Sequence, residues 1–120
     1  MEARILASRI AAIIERTRVG ISTEESAHLA VLDALRAAGM DVQAEVWITD
    51  SDRVDLLVEG VGIEVKVKGG RRDIYRQLQR YARSDRIEAL VLATGLAWPS
   101  SIKDVDGTPL IAASLTRGWL

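Results

Sequence analysis

The chain has 120 residues, 48% of them hydrophobic and 28% charged, a make-up that suits one globular domain with one core. It contains no cysteine, which excludes disulfides, thiol nucleophiles, cysteine zinc sites and cysteine-ligated iron–sulfur clusters, and fits a reducing compartment such as the cytoplasm. The formal net charge is −1, so bulk charge does not mark a nucleic-acid-binding protein.

Charges at Glu2, Arg4 and Arg9 argue against a signal peptide, and no apolar run approaches membrane-spanning length. With no Phe, the core must come from Leu, Ile, Val and Ala. Ala3 to Arg18 reads as a helix, because Ile5, Leu6, Ile10, Ile13 and Ile14 recur near helical spacing before Gly20. A second helix is expected from Thr23 to Ala38. Ser22 would cap it, with Glu25 as capping-box partner, and Gly39 would stop it. Val42 to Thr49 then reads as a strand, followed by a turn at Asp50 to Asp52. Val54–Val58 and Ile63–Val67 read as the strands of a hairpin. After Gly69-Gly70, Arg71 to Arg83 reads as a helix with Ile74, Leu78 and Tyr81 along one side. Ile87 to Ala93 is a near-continuous apolar run, as in a strand buried on both faces. The segment "WPSSIKDVDGTP" reads as a loop with a short helix at most, and Leu110 to Leu115 as a last strand. The order is α-α-β-β-β-α-β, an α/β layered fold. Its helical crossover permits a parallel pair of strands after the hairpin.

The hairpin carries charge where an ordinary one would be apolar. With the turn at Gly60-Val61, or a four-residue loop from Glu59 to Gly62, Leu57 faces Glu64 and Asp55 faces Lys66. Asp55, Glu64, Lys66 and Lys68 then share one face, and Val54, Leu56, Val58, Ile63, Val65 and Val67 the other. Two carboxylates aimed at one point suit a hard divalent cation, and an adjacent lysine suits a phosphate or an attacking water. The plain alternative is an Asp55–Lys66 salt bridge on a solvated face. Helices on both sides of the sheet would instead leave an interior cluster of acids and lysine that needs a purpose.

Val54-Asp55 followed by Glu64-Val65-Lys66 resembles the motif of the PD-(D/E)xK nuclease superfamily, with Val54 where the motif's name has proline. The elements from about Ser22 to Thr94 resemble that superfamily's restriction-endonuclease-like α-β-β-β-α-β core, a mixed sheet flanked by helices, here with an extra N-terminal helix. The resemblance implies a Mg²⁺- or Mn²⁺-dependent deoxyribonuclease. Asp55, Glu64 and the Val65 carbonyl would hold the metal, and Lys66 would position or activate water. It further implies a glutamate on the helix before the first strand. Glu24, on the stripe with Ala27, His28, Val31 and Leu35, is preferred over Glu25, whose capping role is explanation enough. "QLQRY" places Gln77 and Tyr81 one turn apart and resembles the QxxxY motif of the RecB and lambda-exonuclease branch.

Lys68, Arg71, Arg72, Arg76 and Arg80 follow the motif and would grip DNA phosphates without reading sequence. With no second domain to read a site, dependence on ends, junctions or single strands is expected. QxxxY leans towards end-processing and the small bare core towards dimeric junction resolvases, so endonuclease and exonuclease both stay open. A homodimer or higher homo-oligomer is expected, with the N-terminal helix, outside the core, as a candidate interface. A catalytically silent DNA-binding or interaction protein keeping the same fold is the alternative. His28 reads as a packed or half-exposed residue. Trp47 and Trp98 could stack bases, although core packing or a subunit contact is the commoner role, and Trp119 could anchor the tail or a partner.

Overall fold

The computed structural model describes residues 2–120. Three helices and a mixed six-stranded sheet follow in the order α1 (Ala3–Glu15), α2 (Glu24–Ala37), β1 (Gln43–Trp47), β2 (Arg53–Val58), β3 (Val61–Lys66), α3 (Arg71–Ala82), β4 (Ala89–Thr94), β5 (Asp104–Val105) and β6 (Thr108–Ser114), with a 3₁₀ turn at Arg117–Trp119. Across the sheet the strands run β1-β2-β3-β4-β6-β5. β1, β2 and β3 are antiparallel neighbours, and β3, β4 and β6 are parallel. The crossover through α3 thus makes a parallel pair, as the sequence suggests. No helix among the described residues is long and apolar enough to cross a membrane.

Two apolar clusters sandwich the sheet. One joins α1 and α2 to Leu56, Val58, Val61, Ile63, Val65, Ala89, Val91 and Ala93. The other joins Ile74, Leu78 and Tyr81 of α3 to Val54, Leu57, Leu90, Leu92 and Leu110. Every residue of β4 is buried, which is why "ALVLAT" lacks polar alternation.

Several boundaries differ from the sequence reading. Thr23, not Ser22, caps α2, its side chain accepting from the Ser26 N–H at 3.0 Å. The cap therefore sits one residue later, with Glu24 and Glu25 in the first turn. α1 lies against the sheet, burying Leu6, Ala7, Ile10, Ala11, Ile13 and Ile14, so it belongs to the core. Ile5, placed on its apolar stripe by periodicity, is exposed. The expected loop contains β5, which pairs with Thr108-Pro109 through a turn at Asp106-Gly107, both at positive φ.

Candidate active site at an interrupted hairpin

The hairpin turns at Glu59-Gly60, with Glu59 at φ 52° and Val58 opposite Val61. The expected turn at Gly60-Val61 is one residue too late. Every partner therefore moves by two, and Lys66 is not opposite Asp55. The ladder runs from Val58↔Val61 to Leu56↔Ile63 and stops. On the other side, β1 pairs with β2 at Ala44↔Leu56 and Val46↔Val54, skipping Glu45 and Asp55, and Glu45 has φ 53°. Both ladders thus break at Asp55. The break reverses the alternation of β2: Val54 packs on the α3 side although Leu56 packs on the α1–α2 side.

β3 alternates regularly, placing Glu64 and Lys66 on the α3 side. Asp55 lies instead in a cleft of about 440 Å³ with Glu24, Glu25, His28 and Glu45, beneath the start of α2. The two carboxyls meet in the gap between β2 and β3. The Val65 N–H donates to Asp55 Oδ2 at 2.8 Å, and the Asp55 N–H donates to Glu64 Oε1 at 3.3 Å. Each is near enough to bear on the other's ionisation. Lys66 Nζ stands 3.6 Å from Glu64 Oε2. A strand residue aims its N–H and C=O to the same side, so the Val65 carbonyl also faces this gap.

Glu24 Oε1 accepts the Val67 N–H at 3.3 Å, which ties the first turn of α2 to the end of β3. Glu25 is exposed on the rim. Gln77 Nε2 donates to the Tyr81 hydroxyl at 2.8 Å. That hydroxyl lies within reach of both the Arg53 carbonyl oxygen, at 3.0 Å, and the Glu64 carboxyl. The helical pair therefore supports the floor of the gap from the α3 side. Thr94, which the sequence reading did not single out, donates its hydroxyl to the Lys66 carbonyl oxygen at 2.6 Å and fixes the end of β3. Its only signal in sequence is a hydroxyl closing an apolar strand. Glu45 was also missed, since nothing local marks a positive φ there.

Electrostatics follow from burial. Glu64 is 3% exposed. Desolvation, then the Asp55 charge, pushes its carboxyl from 4.5 up to about 8, against the pull of Lys66. Burial also raises Asp55, opposed by the Val65 N–H, His28 and Lys66. Burial pushes the Tyr81 hydroxyl up as well, and Glu64 and Asp55 add to the rise. Two acids forced together out of water favour the neutral form or a nearby cation.

The basic residues divide. Lys68, Arg71, Arg72 and Arg76 are exposed around Gly69-Gly70 and the start of α3. Gly69 adopts φ 125°, and Gly70 caps the helix without a side-chain bond. Arg80 is instead tied to Asp52 at 3.1 Å, which anchors α3 to the β1–β2 turn. Trp47 is exposed, not core. Trp98 is partly buried, with its Nε1 enclosed and unpartnered among the described residues. Trp119 Nε1 donates to the Val19 carbonyl oxygen at 3.0 Å and so anchors the tail. A larger cavity of about 840 Å³ runs along β6, but contains neither Asp55 nor Glu64. Its acids, Glu15 and Asp104, already accept the Ser114 and Gly107 N–H groups, so size does not locate the chemistry. No protein-family model, curated protein or solved structure matches this chain.

Proposed function

We propose that the chain is a metal-dependent deoxyribonuclease with a restriction-endonuclease-like core from α2 to β4. One observation carries the reading: Asp55 and Glu64 meet where both ladders of the hairpin open, with Lys66 beside Glu64 and with Asp55 and Val65 lining a cleft. A purely structural salt bridge does not require two desolvated carboxyls to share a gap.

The donor set suits a hard divalent cation. Among the described residues no group of three or more His, Cys, Asp or Glu is arranged to hold a metal ion. Asp55, Glu64 and the Val65 carbonyl would therefore hold Mg²⁺ or Mn²⁺ with water and phosphate oxygens completing the shell, a mode usual for Mg²⁺. Bound there, the ion would neutralise phosphate charge and acidify a water. Lys66, partly exposed beside Glu64, would orient that water and stabilise charge growing on the phosphorus oxygens. Gln77 and Tyr81 tie α3 to the Arg53 carbonyl oxygen beneath Glu64, and Glu24 holds the strand end. Lys68, Arg71, Arg72 and Arg76 would bind the flanking phosphates beside the free N–H groups of the α3 start.

The test is cleavage of linear, circular, single-stranded and four-way-junction DNA with Mg²⁺ or Mn²⁺. Cleavage should need the metal and vanish in Asp55→Asn and Lys66→Ala. DNA binding without cleavage by the native chain would favour a silent binding protein. A chain that neither cuts DNA nor gains thermal stability from either metal would refute the proposal.

A further inference from the structure

Trp47 is 58% exposed at the end of the edge strand β1. It pairs across the ladder with Arg53, whose guanidinium lies 5.7 Å from the ring centroid. Arg86 Nη1 donates to the Trp47 carbonyl oxygen at 3.1 Å, which fixes the backbone beneath the ring. This aromatic is neither core nor loosely placed.

Its direction follows from its neighbours. Val46 and Val54 pack with the α3-side cluster. The residues flanking them, Trp47, Arg53 and Asp55, alternate to the opposite side. Arg53 and Asp55 are two residues apart on β2, about 7 Å along the strand. That is on the order of one nucleotide step of an opened strand, longer than the roughly 3.4 Å axial rise per nucleotide of a stacked duplex strand. The ring therefore lies on the same side as the Asp55 carboxyl, about one nucleotide step away.

We infer that Trp47 and Arg53 form a stacking platform for an unpaired nucleobase next to the scissile phosphate, so that the site takes single-stranded or frayed DNA. This rests on the nuclease reading and names its substrate class. The surroundings favour a base over a phosphate. The exposed ring with the Arg53 guanidinium against it offers a π-surface that attracts any base. A base in a closed duplex cannot offer its face, so strand opening is required.

The experiment measures binding of fluorescein-labelled single-stranded and fully paired oligodeoxynucleotides in EDTA, where no cleavage occurs, together with cleavage in Mg²⁺. Trp47→Ala should weaken single-strand binding by about 5- to 150-fold. It should leave the salt slope unchanged, because stacking releases no counterions. Duplex binding should stay within twofold, and Trp47→Phe should keep most of the affinity. An abasic residue at one defined position should weaken the native chain and not Trp47→Ala. Equal losses on both DNAs, a changed salt slope, or single-strand binding within twofold of native would each overturn the inference. So would a native dimer, seen by sedimentation, that Trp47→Ala converts to monomer, since the ring would then be a contact between copies. If cleavage depends on Asp55 and Lys66 while Trp47→Ala changes nothing, only the platform fails. If the native chain neither binds nor cuts DNA, the nuclease reading fails first.

Discussion

Replacing Glu64 by glutamine keeps the side chain's size and removes its charge. In the metal-free chain the Glu64 carboxyl stands at about 8 instead of 4.5, so between those values the folded chain holds a proton that the unfolded chain has released. The stability linked to that proton is fully present below the unfolded value and is lost as the pH rises through the folded one. At about 1.4 kcal/mol per pH unit, the full window gives a ceiling of about 5 kcal/mol. Water entering the gap between β2 and β3 at high pH, and Lys66 nearby, relieve part of this, leaving about 2 kcal/mol. For a domain of this size that is about 8 °C in Tm. Thermal unfolding in EDTA at pH 5, 7 and 9 reads the effect directly. Native Tm should fall across the series, and Glu64→Gln should fall less, with a residual slope from Asp55, whose shift has the same sign. At pH 9 the variant should be the more stable of the two. Native stability that is flat from pH 5 to 9, or a variant less stable than native at pH 9, would refute the reasoning. Mg²⁺ at about a hundred times its Kd should return about 2.7 kcal/mol to the native chain, and little to the variant.

Two further outcomes follow from the site. If Asp55, Glu64 and Lys66 act as one unit, the Asp55→Asn/Lys66→Ala double variant should cut DNA hardly more slowly than either single variant; multiplied losses in single-turnover rates would show independent roles. Reversing Arg71 and Arg72 to Glu should weaken DNA binding similarly for different sequences and flatten the salt slope by up to about two. Unchanged affinity across a salt titration would mean that DNA enters from another side.

The helices and the buried strand β4 were legible because their apolar periods are strong and their stops explicit, as at Gly39 and Gly69-Gly70. Glu24 was legible through its stripe, since a helix lying on a sheet turns one side inwards. The hairpin register was not. Gly60 falls in the turn under either reading, and only Glu59 accepting positive φ moves the turn one residue earlier. Nor was the reversal at Asp55 legible. It coincides with Glu45 on the neighbouring strand, a non-glycine residue at positive φ, which no local pattern signals. β5 was hidden because its two residues depend on pairing with Thr108-Pro109. Arg80 read as a phosphate ligand because its partner, Asp52, is distant in sequence.

The break in the ladders also bears on how the site should be probed. A strand that leaves its ladder strands backbone donors, and buried donors must find acceptors. Here side chains supply them: the Val65 N–H goes to Asp55, the Asp55 N–H to Glu64 and the Val67 N–H to Glu24. The same acids that would serve chemistry thus close the hydrogen bonding of an opened hairpin. Truncation and neutralisation should therefore part company. Asp55→Asn keeps a carbonyl oxygen for the Val65 N–H and relieves the crowding of two carboxyls. Asp55→Ala leaves that donor unpaired, at a cost of about 1–3 kcal/mol. Urea unfolding at pH 7 in EDTA should therefore find Asp55→Ala below Asp55→Asn by that amount, while both fail equally to cut DNA. If the two variants unfold at the same midpoint, Asp55 is not closing the gap in the backbone. Loss of cleavage in the alanine variant could then be read as chemistry alone.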